Sequence, residues 1–179
     1  MLSATVVVFI GLLSVFNLFL TYGIIRRLRE QPVAMARPQA RPRIDIVGVD
    51  SSPDDFAVTF TDGHSLSSAL LPKWTIVAFF SDHCPACREK LPTFVRRARE
   101  LQHVDQEIIS VVVGDQRSTA DMTRELERVS RVTVEPENGP LARAFKVHSF
   151  PALCLLNESG TVTATGWDLD SLLTPANQI

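Results

Sequence analysis

Between Ile76 and Pro92 the chain passes from an apolar segment through a polar turn into Cys84-Pro85-Ala86-Cys87, and on into a helical pattern. The apolar segment, Ile76-Val77-Ala78-Phe79-Phe80, is too short for a buried helix and reads as a buried strand. Cys84 therefore stands where a strand ends and a helix begins. Free backbone N–H groups and the helix dipole at that point favour negative charge. A thiol held there loses its proton more readily, and the thiolate is the reactive form. Pro85 fits a first helical turn, where its missing N–H is not needed. Cys87, three residues on, shares a helical face with Cys84 and is within reach of a disulfide with it.

A Cys-x-x-Cys pair is also half of a zinc site, which needs two more thiols or imidazoles. The remaining cysteine is Cys154, and His64, His103 and His148 show no paired ligand spacing. Between a strand and a helix the redox reading is the better supported one, and it calls for no metal and no cofactor. Three cysteines are too few for a disulfide scaffold, so the pair is expected to react rather than to staple.

These residues resemble the thioredoxin superfamily, and within it the membrane-anchored TlpA/ResA-like branch that includes MauD-like proteins. The likeness covers about residues 50–170. Cys84-Pro85-Ala86-Cys87 follows a hydrophobic strand, Pro92 sits where thioredoxins carry a helix-kinking proline, and Phe150-Pro151 precedes the apolar run 152–156. The resemblance implies a thioredoxin-like α/β fold, a mixed sheet with helices on both faces. It implies that Pro151 is cis and shapes a loop facing Cys84, with the Phe150 backbone pairing with a substrate chain. A core aromatic is the other reading of Phe150. Two departures stand out. His83 replaces the usual Trp before the first cysteine. Its imidazolium would stabilise a Cys84 thiolate; the plainer reading is an exposed turn histidine. Ala78 occupies the position of the buried acid that takes the second cysteine's proton in thioredoxin. Pro85 and Ala86 tune the pair without fixing its potential, because such pairs span about 150 mV.

Around this centre the chain divides by composition. Residues 1–25 carry no charged side chain, and about 20 apolar residues suffice to cross a bilayer as a helix. Residues 1–25 are therefore expected to be a single transmembrane anchor, with the lipid bilayer as a partner. A cleaved signal peptide would want a basic start and a small-x-small site near the apolar end. Residues 26–45 form a basic, proline-containing linker with Arg26, Arg27, Arg29, Arg37, Arg41 and Arg43. Those arginines favour the cytoplasmic side for the domain behind them, whereas the resemblance favours the extracytoplasmic side. Outside Arg26–Arg43 the chain has twelve basic and nineteen acidic residues. An acidic domain over 46–179 argues against nucleic-acid binding.

The rest of the domain reads as alternating strands and helices. Phe56–Phe60 followed by Asp62-Gly63 suggests a tight hairpin, with His64 an exposed turn residue. Leu91, Phe94, Val95, Ala98 and Leu101 fall at helical spacing, bent at Pro92. Residues 107–113 read as a strand. A helix capped by Ser118 or Thr119 runs to about Val129 with Met122 and Leu126 inward. Residues 131–134 read as a short strand, 141–147 as a helix behind Pro140, 153–156 and 161–165 as a hairpin, and Asp168 begins a terminal helix. The resemblance places an inserted strand–helix unit around 115–140.

The reaction expected from the pair is thiol–disulfide exchange with protein substrates and a redox partner. Cys84 attacks and Cys87 resolves the mixed disulfide. MauD-like proteins assist maturation of a dedicated client. Two alternatives remain. Ser81 matches the hydroxyl position of the peroxiredoxin P-x-x-x-[T/S]-x-x-C motif, with Val77 where its proline belongs. The other is a tethered module with no enzymatic role.

Overall fold

The computed structural model describes residues 9, 11–15, 17, 44–71, 74–101 and 106–173. The chain divides into two units, Met1–Arg43 and Ile44–Ile179. In the first, the described residues are helical and exposed. Among the described residues no helix is long and apolar enough to cross a membrane; most of the expected anchor and nearly all of the 26–45 linker lie outside them.

The second unit is built on a five-stranded sheet. Its elements in order are β1 (Ala57–Thr59), β2 (Ser65–Ser67), a 3-10 turn (Ser68–Leu70), β3 (Thr75–Ser81), α1 (Pro85–Leu101), β4 (Glu107–Val113), α2 (Ala120–Leu126), β5 (Arg131–Glu135), α3 (Pro140–Ala144), β6 (Ala152–Leu156), β7 (Val162–Gly166) and α4 (Leu169–Leu173). The sheet order is β5-β4-β3-β6-β7, with β1-β2 a separate hairpin. β3, β4 and β5 are parallel; β6 runs antiparallel to β3, and β7 antiparallel to β6. β3 is central and every one of its residues is buried. A strand covered on both faces has no reason to alternate polar and apolar residues, which is why it reads as a continuous apolar run.

Successive β3 side chains serve two cores. Val77 and Phe79 point to the side of α3 and the β1–β2 hairpin, with Ile109, Val111, Leu141, Phe145 and Phe56. Ile76, Ala78 and Phe80 point to the side of α1, α2 and α4, with Cys87, Phe94, Leu126 and Leu169. Aromatic rings anchor both: Phe145 lies 5.4 Å from Phe79 and 5.7 Å from Phe56, and Phe80 meets Phe94 edge-on at 5.0 Å.

Local expectations were met unevenly. The hairpin turns through Thr61–Gly63, with Phe60 N–H bonded to the His64 carbonyl and Gly63 at φ 83. α1 runs through Pro92. α2 ends at Leu126, short of Val129, although Met122, Leu126 and Val129 are all buried as the spacing predicts. Thr119 stands at its N-cap but makes no capping bond with its side chain: its hydroxyl donates to the Asp115 carbonyl, while the Ser118 hydroxyl lies within reach of both that carbonyl and the Asp82 carboxylate. α3 ends at Ala144, and Lys146 at φ 54 turns the chain where a helix through 147 was expected.

The start of α3 shows what the sequence pattern concealed. Glu135, at the end of β5, is buried, and its carboxylate accepts the N–H groups of Leu141 (3.0 Å) and Ala142 (2.7 Å). Gly139 makes room, since a Cβ there would lie 2.5 Å from that carboxylate carbon. Burial pushes the Glu135 carboxyl up from its ordinary 4.5, against the pull of the Ala142 and Leu141 amides. The folded state then holds this proton to higher pH than the unfolded chain. Between the unfolded value and the raised folded one, stability falls as pH rises. Glu135→Gln removes the titration, so the decline of unfolding free energy above pH 4.5 should be shallower in the variant. The difference is bounded by about 1.4 kcal/mol per pH unit, and urea titrations at stepped pH measure it.

Candidate active site at the end of the central strand

β3 delivers the turn Asp82-His83-Cys84 to the end of the sheet, and α1 begins at Pro85. The turn is closed by Cys84 N–H donating to the Ser81 carbonyl (3.2 Å), and the helix by Cys87 and Arg88 N–H groups donating to the Cys84 carbonyl. Cys84 is half-buried, Cys87 is fully buried, and Pro85 and Ala86 are exposed. Both cysteines are thiols here. The Cys84 Sγ accepts the Cys87 N–H at 3.2 Å, so the helix start points a backbone donor at the sulfur.

A second element reaches the same sulfur. β6 pairs antiparallel with β3, with Ala152 opposite Phe79. That register carries the residues just before β6 to the exit of β3. The Phe150–Pro151 bond is cis, and Cys84 Sγ–H donates to the Phe150 carbonyl at 3.3 Å. The Phe150 ring is partly buried and packs against both cores, while its carbonyl faces Cys84. The ring thus packs as a core-facing aromatic, and the carbonyl is occupied by the Cys84 thiol.

Burial pushes the Cys87 thiol up to about 12, helped by its contact with Cys84. Ala78 shares the same core and offers no acid to take its proton. Cys154 is fully buried among apolar groups, and burial raises its thiol strongly. Iodoacetamide at about pH 8 should therefore label Cys84 at least ~10²-fold faster than Cys87 or Cys154, since only thiolate reacts; peptide mass spectrometry reads the site.

The residue that sequence reasoning missed is Asp82. It sits in a polar turn, yet it is only 4 % exposed. Its backbone N–H reaches the Val113 carbonyl at 3.4 Å, and the Arg88 guanidinium donates to its carbonyl at 2.6 Å. Ser118 donates its hydroxyl to Asp82 Oδ2. Oδ1 has no hydrogen-bond donor among the described residues. His83 stands outside with its side chain 76 % exposed and Nε2 3.6 Å from Asp82 Oδ1. It borders a 560 Å³ cleft lined also by Gly114, Asp115, Glu135 and Glu137. Glu89 is exposed on α1. Among the described residues no three His, Cys, Asp or Glu side chains are grouped to hold a metal ion.

A thiol pair between strand and helix, faced by a cis-proline loop, is the arrangement seen across thioredoxin-like proteins. The family model that matches spans residues 50–165, well over half the chain, and is the AhpC/TSA family. The chain belongs to the AhpC/TSA family. Solved structures agree on the fold. The thioredoxin domain of a thiol-disulfide oxidoreductase from Bacteroides vulgatus superposes with a TM-score of 0.59 at 16% identity, over 70% of this chain and 93% of that one. A putative thiol:disulfide interchange protein DsbE from Chlorobium tepidum gives 0.54 at 19% identity, over 68% and 86%. StoA from Bacillus subtilis gives 0.53 at 19%, over 65% and 89%. No curated protein matches the chain at a significant level. This AhpC/TSA-family chain therefore has a thioredoxin-like fold and thiol-disulfide oxidoreductases among its structural neighbours.

Proposed function

We propose that the protein is a thiol–disulfide oxidoreductase acting on protein substrates through Cys84 and Cys87. One observation carries this: Cys84 Sγ lies between the Cys87 N–H and the Phe150 carbonyl, half-open to solvent, with a second thiol one helical turn behind. In the reducing direction the Cys84 sulfur attacks a client disulfide. One client sulfur bonds to Cys84 and the other leaves with the electron pair. Cys87 then attacks Cys84, releasing the client as a dithiol and closing the Cys84–Cys87 disulfide; a redox partner reopens it. Run backwards, the same steps oxidise a client. The backbone flanking Pro151 is the place for an extended client segment, as in the resemblance to TlpA-like and MauD-like proteins. The apolar stretch 1–25 fits a bilayer tether and the basic 26–45 segment a linker. The resemblance puts the domain outside the cytoplasmic membrane, and labelling of Cys84 in intact cells against lysed cells tests that side.

The test of the chemistry is equilibration of the full chain in glutathione buffers, reading Cys84–Cys87 by differential alkylation. The expected result is one two-electron transition between about −270 and −120 mV. Two thiols that titrate independently and never bridge would refute the assignment. Family membership and Ser81 keep a peroxide-reducing alternative in view; rapid peroxide consumption by Cys87→Ser would favour it over exchange.

A further inference from the structure

The Asp82 carboxylate is held on every side but one. Ser118 binds Oδ2, Arg88 and Val113 hold its backbone, and the Cα of Gly114 lies against the carboxylate face. Gly114 is shaped for this contact. Its φ is +155, and a Cβ there would come 2.5 Å from Oδ1 and 2.8 Å from Oδ2. The open side is Oδ1, which lacks a donor and has the His83 imidazole 3.6 Å away. That separation exceeds a hydrogen bond. The His83 side chain is exposed, and such contacts often tighten only when substrate binds. A buried carboxylate with one unpaired oxygen, beside the histidine that precedes the attacking cysteine, is the arrangement that orients a ring and selects its tautomer.

We propose that Asp82 is a positioning residue for the exchange: its Oδ1 takes Nε2–H of His83, which makes Nδ1 the atom that hands a proton to the departing client sulfur. This rests on Cys84 being the nucleophile. Cys84 first gives up its thiol proton to solvent and attacks as the thiolate; as the Cys84–client bond forms and the client S–S bond breaks, the electron pair leaves on the second client sulfur. Protonated His83 gives that sulfur its Nδ1 proton and remains as the neutral Nε2–H ring, then regains a proton from solvent. The other charged groups around the pair are Arg88 on α1, Asp115 after β4, Asp121 and Glu125 on α2, and Glu135 and Glu137 at the end of β5. Arg88 and Glu135 are engaged with backbone groups, so Asp82 is the carboxylate placed on the ring.

The experiment uses the full chain with ¹⁵N-labelled histidine, and exchange rates with a model protein disulfide. In the wild type, neutral His83 should show the Nε2–H pattern in long-range proton–nitrogen spectra more strongly than the preference a solvated histidine already has for that form, and in Asp82→Asn it should fall back toward that ordinary preference. Asp82→Asn and His83→Ala should each slow exchange by about tenfold, and the double variant no further than either alone. A dominant Nδ1–H form in the wild type overturns the proposal, and so does Asp82→Asn exchanging at the wild-type rate while His83→Ala is slow. If Asp82→Asn fails to fold, the wild-type spectrum and the rate of His83→Ala, a change at an exposed side chain, still decide it. Absence of exchange in the wild type would instead refute the oxidoreductase reading, and the ring-nitrogen pattern is readable without turnover.

Discussion

Cys84→Ser should lose exchange with a protein disulfide by about 10³-fold or more, the scale seen when a nucleophile is deleted. A hydroxyl in the same place is not appreciably ionised and does not attack sulfur. Cys87→Ala should behave differently. Its Cys84 still attacks, but nothing resolves the product, so a mixed disulfide with the client accumulates. Non-reducing gels would show the adduct, and reductant would remove it. The distinction comes from the geometry: Cys84 is half-open, Cys87 is sealed behind it with its amide on the Cys84 sulfur. Because burial holds the Cys87 thiol up at about 12, resolution in the wild type should accelerate as pH rises through the alkaline range, where more thiolate forms. Adduct from Cys84→Ser, or none from Cys87→Ala, would reverse the assigned roles.

The largest expected stability effect lies on the other face of the sheet. Phe145 is fully buried, and its ring bridges Phe79 on the central strand to Phe56 beside the hairpin. Phe145→Ala removes the ring from both contacts and leaves a cavity between α3 and the sheet. The expected loss is about 3–5 kcal/mol. With total stabilities of about 5–15 kcal/mol for such domains, the variant would be close to unfolded at physiological temperature. In urea the midpoint should fall by roughly 2 M, taking a slope of about 2 kcal/mol/M. Leu70→Ala is the control. Leu70 is 73 % exposed, and its loss should stay within about 0.5 kcal/mol.

What could be read from the sequence was what local physics decides. β3 announced itself because burial on both faces leaves Ile76–Phe80 without a polar position, and the cysteine pair fell at the strand–helix junction because Pro85 starts helices. Strands 107–113 and 152–156 were legible for the same reason. The cis bond at Pro151 was not in the residues; only the family resemblance suggested it, and the β6 register brings Phe150 beside Cys84. Asp82 stayed hidden because its seat is made by Gly114 and Ser118, more than thirty residues away along the chain. Glu135 stayed hidden because a strand-end carboxylate capping the next helix leaves no periodic mark. Thr119 does stand at the N-cap, but its hydroxyl turned to the Asp115 carbonyl rather than to a helix amide, and Ser118 turned to Asp82 and that same carbonyl.

The tight seat beneath Asp82 has a consequence for descent. With the acid in place, any side chain at position 114 would collide with it; with a small residue at 82, the collision disappears. Position 82 should therefore hold an acid only in kin that keep the glycine. Lineages that give up the acid lose the collision but keep the positive φ at 114, which still favours glycine; the acid depends on the glycine, and the glycine does not depend on the acid.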